Sequence, residues 1–155
     1  MLAAPKKASK LLVANRSEIA CRIFQTAREM GLPTVGIVAP GDEESRHLTY
    51  ADEIVPVPSY LDSEAVARAA KDSGATLVHP GYGFLSERPV FARAVEKAGL
   101  TFVGPTPETM EAMGGKIDAK EIAERSGVPT LPWAKVKRGE NLKTVLKETA
   151  KKIGF

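Results

Sequence analysis

The chain has 155 residues, 43% hydrophobic and 26% charged, and its 22 Lys and Arg face 19 Asp and Glu. That mixture excludes disorder, collagen and a disulfide scaffold, and a single cysteine, Cys21, excludes an internal disulfide. A net charge of +3 is too small to argue for nucleic acid, two histidines do not make a Cys/His zinc site, and no apolar run reaches the ~18 residues of a membrane span.

Residues 1–10 read as a disordered leader. They carry Lys6, Lys7 and Lys10 and lack the apolar region of a secretory signal. Leu11 to Ala14 is a short apolar run suited to a buried parallel strand. Ser17 to Met30 has helical spacing, with Ile19, Ile23, Ala27 and Met30 expected on the buried face and Gly31 as the stop. Cys21 is expected to pack on this helix as a small apolar residue. Thr34 to Val38 is a second strand. A turn at Pro40 to Asp42 leads to an expected short acidic helix ending near Ala51.

Glu53 to Val57 is a third strand, and Asp62 caps a helix running to Ser73. Ala75 to His79 is a fourth strand. The glycine-rich loop Pro80 to Glu87 precedes a helix from Pro89 to Ala98, and Leu100 to Val103 is a fifth strand. Thr106 and Pro107 open a helix as N-cap and first residue. Further helices are expected over 116–126 and 141–152, with a linker-like stretch at 128–132 and an extended piece at 133–136. Strands and helices alternate with short connections. That pattern predicts an α/β fold: a Rossmann-like, doubly wound parallel sheet. Ile153-Gly154-Phe155 reads as a helix stop followed by a strand start, so the chain is expected to be cut from something longer.

In a sheet ordered 3-2-1-4-5, ligands bind where strand order reverses, between the first and fourth strands. The loops leaving those strands are Asn15-Arg16-Ser17 and Pro80 to Glu87. The first lacks the glycines of a dinucleotide site. Asn15 and Ser17 either cap the following helix or face a ligand or neighbouring domain. In the second loop Gly81 and Gly83 bracket Tyr82, and an aromatic placed there can offer a ligand both a flat face and a hydroxyl. Glu87 lies near the next helix start, where the dipole favours its charge. His79 alone reads as a hydrogen-bonded core histidine. Lys116 follows Gly114 and Gly115 at a helix start. There a lysine opposes the dipole, so it is either an exposed residue after a flexible turn or a partner for an anion such as phosphate.

Ala14 to Ala20, His79 to Glu87, and Phe102-Val103-Gly104-Pro105 followed by Met113 to Lys116 occur in one order that resembles the N-terminal domain of biotin carboxylase. That is the ATP-grasp component of acetyl-CoA, propionyl-CoA, methylcrotonyl-CoA and pyruvate carboxylases. The resemblance implies residues 11–128 as the biotin carboxylase N-terminal, pre-ATP-grasp domain and 129–155 as linker and start of a truncated ATP-grasp domain. It implies ATP contact by Lys116 and a biotin and bicarbonate loop at Tyr82 and Gly83, with Asn15, Arg16, His79 and Glu87 supporting the site. No catalytic residue or metal ligand is expected within the chain. ATP, Mg²⁺ and carrier-borne biotin are implied for the full enzyme. Its partners would be the remaining carboxylase domains, the biotin carboxyl carrier and the carboxyltransferase. A homodimer to which the 17–30 helix contributes and a cytoplasmic location are also implied.

Three departures stand out. Ser17 replaces a glycine usual in the family, Gly115 replaces an aspartate that would cap the next helix, and the 55–60 stretch is shorter than usual, trimming a surface loop. The resulting expectation is a carboxylase segment inactive by itself. The competing reading is a standalone noncatalytic interaction or ligand-binding module, and a third is another ATP-grasp ligase, for which the Tyr82 loop is not expected.

Overall fold

A computed structural model describes residues 9–136 and 138–154. The leader expected over 1–10 therefore lies outside the described residues except at its last two positions, and Phe155 lies outside as well. The described chain forms two compact units, residues 1–110 and 111–155.

The first unit is built on a five-stranded parallel sheet in the order β3-β2-β1-β4-β5. The strands are β1 (Leu11–Val13), β2 (Thr34–Val38), β3 (Glu53–Pro56), β4 (Leu77–His79) and β5 (Thr101–Phe102). Alternate residues of β1 serve opposite faces, as the pleat requires. Leu11 and Val13 join Ala20, Phe24 and Ala27 of α1 (Ser17–Glu29) on one face. Leu12 and Ala14 join the larger core on the other, with Val66 and Ala70 of α2 (Ser63–Asp72) and Phe91 and Val95 of α3 (Pro89–Lys97). The winding thus reverses at β1. The order matches the one assumed for placing the crevice, and the expected doubly wound parallel sheet stands.

Helix ends follow the sequence. The Asp62 carboxylate accepts from Ala65 N at 3.0 Å, a cap worth about 1 kcal/mol. Thr106 Oγ1 accepts from Thr109 N at 3.2 Å and opens α4 (Pro107–Met113).

Several expectations are corrected. The buried face of α1 is Ala20, Phe24 and Ala27, whereas Met30 is 67% exposed. The expected stripe ran through Ile19 and Ile23, which are half-buried at its edge, because the ring of Phe24 takes the space beneath the helix. The acidic helix after β2 is a short 3₁₀ turn, Arg46–Thr49. Lys10 belongs to the fold rather than to a leader: its ammonium pairs with Glu53 and donates to Ser73 O at 2.7 Å. Within the 55–60 stretch Val57 and Tyr60 are buried.

The second unit carries α5 (Lys116–Arg125) and α6 (Leu142–Ile153), neither of which has a fully buried residue. Both start near the expected positions, and Asn141 caps α6 by accepting from Lys143 N at 3.0 Å. Trp133 Nε1 donates to Glu124 Oε1 at 2.7 Å, and that bond holds the Glu124 carboxyl below its usual range. No described helix is long and apolar enough to cross a membrane.

Candidate functional site

The reversal at β1 leaves a crevice at the carboxyl ends of β1 and β4. Asn15, the second residue beyond β1, closes it from below. Its side chain is 2% exposed; Nδ2 donates to Pro80 O at 2.7 Å and to Tyr82 O at 2.8 Å, while Oδ1 accepts from Arg16 N at 2.9 Å. Asn15 therefore does not cap α1: the N-cap is Arg16, which makes no side-chain cap bond. It stitches the first loop to the second instead. Gly81 makes this possible, for its φ is +67° and a Cβ there would lie 2.7 Å from Asn15 Nδ2.

Above Asn15 lies an open pocket of about 340 Å³, lined by residues 15–19 and by Tyr82, Gly83 and Phe84. Two of these, Ser17 (φ +54°) and Phe84 (φ +43°), are non-glycine residues in the left-handed region, at a cost of about 1–2 kcal/mol each. They are the two such residues in the described chain, and both face this pocket. Strain of that kind gathers where function needs a particular backbone path. Ser17 thus holds the conformation that a glycine would adopt freely. The Tyr82 ring is 60% exposed, and its hydroxyl donates to the Glu18 carboxylate from the first turn of α1.

Arg16 leans away from the crevice floor. Its Nη1 pairs with Asp42 Oδ1 at 2.8 Å, and its guanidinium carbon lies 5.9 Å from the centre of the Tyr60 ring. The Tyr60 hydroxyl donates to Asp42 Oδ2 at 2.7 Å, and its ring stacks on Phe84 at 5.6 Å. Burial, assisted by the Asp42 hydrogen bond, pushes the Tyr60 phenol up to about 12.

His79 and Glu87 stand outside the pocket lining. His79 Nδ1 accepts from Gly81 N at 3.0 Å, which assigns the proton to Nε2, and burial lowers its pKa. The ring borders a separate, shallow apolar groove with Leu11, Ile23, Leu77 and Val103. It is the hydrogen-bonded histidine of the sequence reading, and it shapes the glycine loop from behind. Glu87 is exposed in the turn before α3, one residue ahead of the N-cap Arg88. Cys21 is half-exposed beside a polar groove with Arg22 and Arg46, rather than packed away.

Lys116 belongs to the second unit, exposed at the first position of α5. Its N-cap Gly115 makes no side-chain cap bond, and a Cβ there would lie 2.2 Å from Asp118 Oδ2. The carboxylate of Asp118 occupies the space that an aspartate at 115 would need.

Sequence reasoning missed Asp42, Tyr60 and Glu18. Asp42 and Tyr60 follow β2 and β3, so the rule that loops at strand carboxyl ends gather around a site could have flagged both. Glu18 lies in the first turn of α1, where a carboxylate is expected for the helix dipole alone, so nothing in the sequence marks it as the partner of Tyr82.

A family described as "Biotin carboxylase, N-terminal domain" matches residues 7–110. The chain is 45% identical over 152 residues to the biotin carboxylase of Pseudomonas aeruginosa, covering 94% of this chain and 34% of that protein. It is 48% identical over 130 residues to the propionyl-CoA carboxylase alpha chain of Ruegeria pomeroyi, covering 80% of this chain and 19% of the other. Among solved structures, the biotin carboxylase domain of Hydrogenobacter thermophilus 2-oxoglutarate carboxylase, in complex with MgADP, ADP and bicarbonate, is similar with a TM-score of 0.82. It is 39% identical, and the match covers 97% of this chain and 34% of that one. The chain thus spans about a third or less of the relatives it matches.

Proposed function

The chain belongs to the biotin carboxylase N-terminal domain family, and on that premise we propose that it supplies the biotin-facing wall of a biotin carboxylase. The parent reaction is the ATP- and bicarbonate-dependent carboxylation of biotin, within an acyl-CoA or pyruvate carboxylase. One observation carries the reading: Asn15 binds the Tyr82–Gly83 turn to the β1 loop at the switch point of the sheet. There an exposed aromatic face and a positive-φ glycine border one pocket.

The residues present suit the groups. Tyr82 offers a flat apolar surface for a ring ligand, and the glycines flanking it let a ligand approach backbone. Lys116, with the first amides of α5, suits a phosphate. ATP, bound with Mg²⁺, would supply the free energy that activates bicarbonate. Asn15 and His79 would hold the loop, and Glu18 would fix the Tyr82 hydroxyl. The remaining carboxylase domains, a biotin carrier and a carboxyltransferase would be the partners.

The test is a hybrid in which this chain replaces the matching first third of the Pseudomonas aeruginosa enzyme. The 155 residues alone are expected to show no biotin-dependent ATP hydrolysis, and the hybrid is expected to show it. A folded hybrid without that activity would contradict the proposal and favour a noncatalytic module, as would biotin-dependent hydrolysis by the chain alone contradict the need for further domains.

A further inference from the structure

The pocket is held from a second side, by residues that none of the motifs contains. Asp42 accepts from Arg16 Nη1 on one carboxylate oxygen, at 2.8 Å, and from the Tyr60 hydroxyl on the other, at 2.7 Å. One side chain thereby joins the loop after β1 to the segment after β3. Tyr60 passes that constraint on, because its ring stacks on Phe84 with centroids 5.6 Å apart and planes 29° apart. Phe84 sits in the left-handed region, a conformation that the surrounding structure must hold in place. Tyr60 is 8% exposed, so its ring is a fixed support rather than a solvent-side contact.

We propose that Asp42 and Tyr60 are positioning residues for the Tyr82–Gly83–Phe84 turn: through the Tyr60–Phe84 stack they set where Tyr82 stands over the pocket. Neither lines the pocket itself; each acts through a residue that does, Arg16 or Phe84. Side-chain contacts thus tie three loops, those after β1, β2 and β4, to the segment after β3. The phenol stays protonated throughout the physiological range, since its pKa is raised to about 12, so it remains a donor to Asp42. The significance for biotin binding rests on the function proposed above; the positioning itself does not.

Two variants separate the links. Tyr60→Phe removes the hydroxyl and keeps the ring against Phe84. Asp42→Asn keeps the shape, removes the charge that holds Arg16 and disturbs both bonds. In ¹H–¹⁵N spectra of the 155-residue chain, both variants are expected to shift the Gly83 and Phe84 amides, Asp42→Asn more strongly, with Val35 and Val95 unmoved. In the hybrid enzyme the KM for free biotin should rise about tenfold in Asp42→Asn and less in Tyr60→Phe, with the KM for ATP unchanged. If the Gly83 and Phe84 amides stay in place in both folded variants, the proposal is overturned. If those amides move while the unmutated hybrid carboxylates no biotin, the positioning stands and the functional reading falls. Equal losses for ATP and biotin would mean a general weakening of the fold, and would also overturn it.

Discussion

Residues 1–110 and 111–155 use the same kinds of local signal and reach different ends. In the first unit each amphipathic helix has a sheet face to bury, and Phe24, Val66, Phe91 and Val95 are all but inaccessible. In the second, α6 has its apolar residues at helical spacing, yet Leu142, Leu146 and Ile153 remain exposed. Capping and periodicity are local and suffice to form a helix. Burial needs a partner surface, and among the described residues α5 and α6 have none that buries a side chain fully. The buried faces of the first unit's helices therefore carry stability, whereas the exposed apolar residues of α6 add little.

The sharpest way to break this comparison is to remove one apolar side chain from each unit. Phe91→Ala should cost about 3–5 kcal/mol in a urea titration, because a fully buried ring leaves a cavity between α3 and the sheet. Leu146→Ala should stay within about 0.5 kcal/mol. Equal costs would mean that the second unit has a core after all.

Asn15→Ala comes next, at about 2 kcal/mol, since it strips donors from the Pro80 and Tyr82 carbonyls in a buried setting. Faster amide exchange at Gly81 and Gly83 would accompany it. A loss no larger than that of an exposed side chain would mean that the two loops are held by something else.

Much of this was legible in the sequence, for physical reasons that differ by element. The parallel α/β class followed from alternating elements and the short connections between them, and the strand order is the one assumed for placing the crevice. The helix starts at Asp62 and Thr106–Pro107 followed from local capping, and that near Asn141 from amphipathic spacing. The crevice followed from where winding reverses. Tyr60 was not legible as a support, because its burial depends on Phe84 and Arg16, which lie far from it in sequence. The α1 face was misread because periodicity alone does not choose between Ile23 and Phe24 when both adjoin an apolar stripe. Asn15 looked like a cap because the residues that use its side chain lie in the loop after β4.

Smaller effects sharpen the account of the site. Ser17→Gly should stabilise the chain by about 1 kcal/mol, because φ +54° costs a glycine little. A loss in the same melt would mean that the serine side chain contributes more than its backbone costs. The smallest effect concerns pH. Burial holds His79 below the ordinary histidine value of 6.5, so the unfolded chain takes up the proton first and acid favours unfolding. Stability should therefore fall as pH drops below about 6.5, and His79→Asn, whose side-chain oxygen can still accept from Gly81 N, should flatten that slope. An unchanged slope would assign the acid sensitivity to other groups.

The two units also divide the proposed chemistry, with Tyr82 in the first and Lys116 in the second. Steady-state kinetics of Tyr82→Ala and Lys116→Ala in the hybrid enzyme test that division most directly. The account predicts that Tyr82→Ala raises the KM for biotin and leaves that for ATP unchanged, and that Lys116→Ala does the reverse. Variants that weaken both substrates alike, or neither, would contradict it.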